Sequence, residues 1–409
     1  MGSRDWAHPA AGCPGGSPTG VERPAVIRIG VVTVARSDFN YLEPVLHALQ
    51  AHPMFEPLLI VAAAHLSEAH GYTLDMIEAR GFSAAARVPM TMPTDDPLAI
   101  AQSMARGTEG FAQAYESLKP DAVMLLGDRY ETHAAAVAAT PFRIPLIHLH
   151  GGEETEGAID NVLRHSLTKL SHLHFTATEA YRQRVIQMGE QPGRVWVSGA
   201  PALDLVLSLP RAERAELEQA VARALPDPFF VTTYHPVTVA PETAAQETHT
   251  LMDAIEAVGV PTIWTMPNTD PGGLAVREVL TTRASDLVIP VENLGAKLYY
   301  TALSLCAACV GNSSSGLLEA PSFGIPTVNI GPRQAGRIRS KHVMDVDCEL
   351  TAIIAALTNA LDPDTKSSLK SVPNPYGNGQ AAPQIVQTLA TLDWSSLSVV
   401  KPFADAAPR

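Results

Sequence analysis

At 409 residues, with 46% hydrophobic and 17% charged residues, the chain is long enough to bury two cores and too apolar to be disordered. A net charge of −13 excludes a nucleic-acid backbone or an anionic membrane surface as a general partner, although local arginines can still bind one small anion. No run approaches the roughly 18 apolar residues of a membrane span, and four cysteines are too few for a disulfide scaffold, which points to a reducing cytoplasm.

Residues 1–24 are rich in Gly, Pro and small residues, lack the apolar centre of a signal peptide, and read as a disordered leader. Apolar runs then alternate with amphipathic ones. Strands are predicted at Val26–Val32, Leu58–Ala62, Ala122–Leu126, Pro145–Leu149, His172–Ala177 and Val195–Ser198. Helices fall between them near Phe39–Gln50, Leu98–Leu118, Glu131–Thr140, Asp160–Leu170 and Glu179–Met188. After Asp204, a polar stretch with Pro210, Pro226 and Pro228 reads as a linker. A second series follows, with strands Phe229–Thr233, Thr262–Met266, Leu287–Val291, Leu305–Val310 and Thr327–Ile330. Its helices are Ala244–Val258, Leu294–Leu303 and Ser315–Phe323.

Continuous apolar strands separated by helices imply parallel sheets covered on both faces. The fold class is α/β, with two doubly wound Rossmann-like domains facing a cleft. The expected division is an N-terminal domain over 25–207 and a C-terminal, nucleotide-binding domain over 208–382. Residues 383–409 form a last segment, a helix returning to the N-terminal domain plus a tail.

Candidate chemistry gathers at strand exits. Gly127-Asp128-Arg129-Tyr130-Glu131 follows one strand, and His148-Leu149-His150-Gly151-Gly152-Glu153 ends the next, before Glu156, Asp160 and Arg164-His165. Four carboxylates, Asp128, Glu153, Glu156 and Asp160, with two histidines can move protons once burial or like charge raises one carboxylate. Asp160 also suits a helix cap or an i,i+4 pair with Arg164. His148 and His150 share a face of a strand, which permits a metal with Glu153, but no further spaced ligand supports one and no metal is assigned. Cys306 and Cys309, three apart on a predicted strand, point to opposite faces and read as buried thiols, not a redox pair.

On the second unit, Gly311-Asn312-Ser313-Ser314-Ser315-Gly316 links a strand to a helix. Such a loop offers free N–H groups to a phosphate or diphosphate, or is simply a Ser-rich cap. His235 at another strand exit can donate to a phosphate oxygen. Glu319 inside the following helix needs donors if buried, and sugar hydroxyls supply them. Arg333, Arg337 and Arg339 concentrate three guanidinium groups that can neutralise a diphosphate.

These motifs, with Gly157-Ala158-Ile159-Asp160, His235-Pro236-Val237-Thr238, Glu319-Ala320-Pro321 and Arg333-Gln334-Ala335-Gly336-Arg337, resemble the hydrolysing UDP-N-acetylglucosamine 2-epimerases over roughly residues 26–390. The branch most resembled feeds sialic-acid-type nonulosonates, including legionaminic acid. The resemblance implies a GT-B architecture with a UDP- or GDP-linked sugar in the cleft and no cofactor. It also implies a cytoplasmic homo-oligomer, dimer or tetramer. The implied chemistry is anti elimination of the nucleoside diphosphate across C1–C2, then hydration of the glycal to a free sugar inverted at C2. Asp128 and Asp160 match catalytic acids. His150 or Glu153 moves the C2 proton, His150 standing where many relatives carry Glu. Ser313, Ser314 and His235 match diphosphate contacts, with Asn312 and Ser315 in the same loop. Glu319 matches the ribose contact and Arg36 an arginine near the phosphates, and Arg164, His165, Arg333 and Arg337 complete the substrate-binding set. A GT-B glycosyltransferase or a non-catalytic nucleotide-sugar binding protein would use the same grip.

Overall fold

The computed structural model describes residues 26–68, 71–92, 94, 96–154, 160–236, 241–267 and 272–405. The leader over 1–24, Glu156 and Gly157–Ile159 of the proposed motifs, and Val237-Thr238 lie outside the described residues.

The first sheet contains β1 (Ile27–Thr33), β2 (Phe55–Ala62), β3 (Ala86–Val88), β4 (Ala122–Leu126), β5 (Leu146–Leu149), β6 (Leu173–Thr176) and β7 (Val195–Val197). Its seven strands run in the order β3-β2-β1-β4-β5-β6-β7. The second sheet contains β8 (Phe230–Thr233), β9 (Thr262–Thr265), β10 (Val288–Val291), β11 (Ala308–Gly311), β12 (Thr327–Ile330) and β13 (Val343–Val346), in the order β10-β9-β8-β11-β12-β13. All pairings are parallel. In both sheets the order in which strands are added reverses beside the first strand, between β1 and β4 and between β8 and β11. The helices on either side diverge there and leave a crevice at the strand C-termini. The expected pair of doubly wound units in a GT-B arrangement is what the chain adopts.

Apolar side chains fill both faces of each sheet, for example Ile29, Val31, Met124 and Ile385 on one face of the first and Val32, Val123 and Leu125 on the other. A further cluster bridges the units: Tyr181, Leu203 and Val206 pack with Phe229, Val231 and Leu303. The chain crosses between units twice. Helix Ala381–Thr391 returns to the first core through Ala382, Ile385, Val386 and Leu389. Asp204, buried, caps it by accepting from the Ala381 and Ala382 N–H groups at 2.9 and 2.6 Å. The two crossings touch where Ala200 N–H donates to Tyr376 O at 2.7 Å, and a Cβ on Gly199 would lie 2.9 Å from that oxygen. The tail returns as well: Lys401 Nζ donates to the carbonyls of Thr168, Lys169 and Ser171 at 3.2, 2.8 and 2.6 Å, closing the end of helix Asp160–Leu170.

Several expectations need correction. The supposed linker after Asp204 holds helices Ala202–Ser208 and Arg214–Ala220, anchored by the buried Val206 and Leu217. Cys306 ends helix Gly295–Leu305 and only Cys309 is on a strand, because β11 starts at Ala308. Both thiols are nevertheless buried, which pushes Cys309 up to about 12 and raises Cys306 well above the usual thiol range. The helix expected over 315–323 breaks after Leu318 and resumes as the 3₁₀ turn Ala320–Phe323, since Pro321 lacks the N–H an α-helix needs.

Candidate active site

β4 ends in Gly127, whose φ of +74° turns the chain and presents Asp128 at the crevice. The Asp128 carboxylate is ion-paired with Arg164 on helix Asp160–Leu170. Arg164 is only 4% exposed. Burial, reinforced by the positive charge of Arg337, pushes its guanidinium down to about 10, still cationic at neutral pH. It also donates to Asn161 Oδ1 at 3.1 Å.

At the end of β5 the two histidines part. His148 is fully buried, donates from Nε2 to Gly127 O at 2.8 Å, and has Nδ1 3.3 Å from Thr168 Oγ1. Burial pushes it down to about 3, so it is a neutral strut between two strand exits. His150 lies past the strand with φ +63°, a left-handed conformation that costs a non-glycine residue about 1–2 kcal/mol. The shared face expected for these two side chains is lost for that reason. The His150 ring instead turns to Glu153, with Nδ1 2.5 Å from Oε1, while Tyr41 packs edge-on at 5.2 Å. Its Nε2 has no hydrogen-bond partner among the described residues. Burial alone would raise Glu153, but the His150 ring and Arg337 outweigh it and hold the carboxyl below its usual range. The loop is pinned from behind: Arg184 donates to Gly152 O at 2.5 Å and pairs with Glu154 at 3.1 Å.

Asp160 opens its helix half-buried. Burial raises its carboxyl, with Arg129 opposing. Arg129 also faces Asp38 at 3.6 Å and Glu131 at 4.0 Å, and burial raises both of those carboxyls too. Sequence reasoning did not assign Asp38, Arg129, Glu131 or Tyr41 to the site. The available signal was position alone, since Asp38 and Tyr41 follow β1 and Arg129 and Glu131 follow β4, the two strands flanking the crevice. His165 is partly buried beside Arg164, and burial lowers it. Arg36 is exposed at the first residue of helix Arg36–Ala51.

The opposite wall is built on β8 and β11. Gly311, at φ +117°, passes so close to β8 that a Cβ would overlap Thr233 O at 2.0 Å. That contact brings the Ser loop against His235, which burial and then Arg333 push down to about 4. Asn312, expected among the ligand contacts, is wholly buried, with both amide atoms on the His235 backbone. It holds the wall together from behind. The N–H groups of Ser313 and Ser314 have no hydrogen-bond partner among the described residues. Ser315 accepts from Tyr299 Oη at 2.8 Å and donates to Glu319 Oε2 at 2.6 Å. Burial raises Glu319, and the Ser315 bond partly offsets it.

The three arginines divide. Arg333 donates to Asn312 O at 3.2 Å beside the Ser loop, and Arg337 acts across the cleft on Glu153 and Tyr41. Arg339 is drawn away to Asp345 on β13 at 2.5 Å, so the expected cluster of three is a pair. Among the described residues no group of three or more His, Cys, Asp or Glu side chains is arranged for a metal ion, and no helix is long and apolar enough to cross a membrane.

A wall carrying Asp128, His150, Glu153 and Asp160 thus faces a wall carrying His235, the Ser loop and Arg333. The sequence profile of the UDP-N-acetylglucosamine 2-epimerase family matches residues 47–390. The hydrolysing UDP-N,N'-diacetylbacillosamine 2-epimerase of Legionella pneumophila is 35% identical over 368 residues, 89% of this chain and 96% of that protein. The hydrolysing GDP/UDP-N,N'-diacetylbacillosamine 2-epimerase of Campylobacter jejuni is 35% identical over 322 residues, 78% and 84% of the two chains. In structure, the UDP-GlcNAc 2-epimerase of Neisseria meningitidis bound to UDP-GlcNAc superposes with a TM-score of 0.77 at 19% identity, covering 90% of this chain and all of that one. The chain belongs to the UDP-N-acetylglucosamine 2-epimerase family and is a hydrolysing nucleotide-sugar 2-epimerase.

Proposed function

We propose that this enzyme releases the nucleoside diphosphate from a 2,4-diacetamido-2,4,6-trideoxy sugar nucleotide and returns the free sugar with manno configuration. The 35% identity to two diacetylbacillosamine epimerases supports that sugar over UDP-N-acetylglucosamine, whose product would be N-acetylmannosamine. Either product is a precursor of the kind nonulosonates need, which fits sialic- or legionaminic-acid synthesis by a cytoplasmic dimer or tetramer.

The observation that carries the mechanism is the His150–Glu153 pair. A carboxylate on Nδ1 fixes the ring tautomer and leaves the Nε2 lone pair to accept the C2 proton. As that C–H bond breaks, its electrons form the C1=C2 bond and the C1–O electrons leave with the diphosphate. Ser313 and Ser314 N–H groups, His235 and Arg333 stabilise the departing charge. Water then adds across the glycal, its hydroxyl to C1 and a proton to C2 from the opposite face. Asp128 and Asp160 handle the water and that proton, while Arg36, Arg164, His165 and Arg337 hold the sugar and phosphates.

Incubation in D2O with the UDP- and GDP-linked diacetamido sugars and with UDP-N-acetylglucosamine tests this. Nucleotide release with deuterium at C2 of a manno product is expected. Hydrogen retained at C2 in a gluco product would falsify it, and transfer only to an added acceptor would make the protein a glycosyltransferase.

A further inference from the structure

Between the two units, the backbone of Ile338 is held from both sides. Its N–H donates to the Tyr181 hydroxyl at 3.2 Å, and its carbonyl accepts from the Tyr376 hydroxyl at 2.9 Å. The two hydroxyls lie 3.5 Å apart and both residues are 1% exposed. Tyr181 belongs to helix Glu179–Gln187 of the first unit, whereas Ile338 follows β12 of the second. The Tyr181 bond therefore spans the two units.

Arg337 directly precedes Ile338, and its carbonyl carbon carries the N–H that Tyr181 holds. Among the described residues its guanidinium has no hydrogen bond or ion pair, yet its charge acts on Glu153, Tyr41, Tyr181 and Arg164, all in the first unit. A long side chain without an anchor keeps most of its rotamer freedom, so its reach depends on how firmly the backbone beneath it is held.

We propose that Tyr181 is a positioning residue: by holding the Ile338 peptide across the closed cleft, it sets Arg337 against the His150–Glu153 pair. The inference rests on the epimerase reading and adds to it a link between closure and the proton-transfer wall. The groups facing Glu153 are His148 and His150 from its own segment, Tyr41 from helix Arg36–Ala51, Tyr181 from helix Glu179–Gln187, and Tyr376 and Arg337 from beyond the second sheet. Of these, Arg337 is the one fixed cation, and it arrives with the opposite unit.

The test is a double-mutant cycle of Tyr181→Phe and Arg337→Gln, with Phe keeping the buried ring. Arg337→Gln should lower kcat about 100-fold, the scale of a lost charge-stabilising donor. Tyr181→Phe should lower it about tenfold through misplacement, with UDP affinity unchanged. In the double variant Tyr181→Phe should add nothing, because the residue it positions is gone. A Tyr181→Phe cost of equal size in both backgrounds, or no cost in either, overturns the proposal. The carboxyl of Glu153, followed by ¹³C NMR during a pH titration, should move upward in both single variants. If wild-type protein turns over no nucleotide sugar, the epimerase reading has failed and that titration decides alone: an upward move in both supports the positioning, and anything else removes it.

Discussion

The side-chain amide of Asn312 is bonded at both atoms to the backbone of His235: Oδ1 accepts from its N–H at 2.7 Å and Nδ2 donates to its carbonyl at 2.8 Å. A residue that reaches no ligand thus joins the ends of β8 and β11 and fixes the spacing between His235 and the Ser loop. Asn312→Ala should orphan two buried groups at about 1–3 kcal/mol each and weaken UDP binding in step. Asn312→Asp should not rescue it, since an oxygen then faces the His235 carbonyl. Urea denaturation and calorimetry with UDP measure both, and native behaviour in the Asp variant would contradict the assignment.

Asp128→Asn keeps the shape of the side chain and removes the charge balancing Arg164. Turnover should fall at least about 100-fold, as expected for a lost acid–base group. Stability should also drop, by up to about 3 kcal/mol, because a buried guanidinium loses its counter-charge. Normal turnover in a destabilised protein would confine Asp128 to holding Arg164.

Glu319 owes its orientation to the chain from Tyr299 through Ser315. If its carboxylate takes the ribose hydroxyls, wild-type protein should bind UDP more tightly than 2′-deoxy-UDP by about 1–3 kcal/mol, the worth of a hydrogen bond to a charged group. That preference should vanish in Glu319→Ala and shrink in Tyr299→Phe. A preference untouched by Glu319→Ala would move the ribose elsewhere.

Burial keeps His148, His65 and His235 neutral, lowering them to about 3, 4 and 4. Their folded values lie below their unfolded ones, so unfolding takes up protons and acid favours the unfolded chain. Stability from these groups is complete above the unfolded value near 6.5 and declines as pH falls toward the folded values. Each contributes a slope of up to about 1.4 kcal/mol per pH unit in that window. Urea midpoints at pH 7 and pH 5 should differ accordingly. His65→Gln, which removes one titrating ring between Thr33 and Thr73, should flatten the slope; an unchanged slope would show that His65 does not titrate there.

What could be read from the chain was whatever short-range pattern determines. β4 is an unbroken apolar run, and β1 and β8 are rich in β-branched and aromatic residues, so their exits, and with them Asp128 and His235, were legible. β3, three residues long, carries too little periodicity to register. The prolines at 210, 226 and 228 suggested a linker, yet they fall outside helices 202–208 and 214–220 and break neither. The unread part of the site depends on pairings distant in sequence. Arg129 meets Asp38 only because β1 lies beside β4. His148 and His150 separate through one backbone angle that their identities do not dictate.

The double crossing between the units has a mechanical consequence. With the outgoing and returning strands of chain touching at Gly199 and Gly377, and Asp204 riveting the second to the first, the halves are tied together at one double crossing and not through a single linker. It follows too that the first half cannot be cut out as residues 25–207 without losing Ile385 and Leu389 from its own interior, and exchanging halves between relatives requires three pieces, not two.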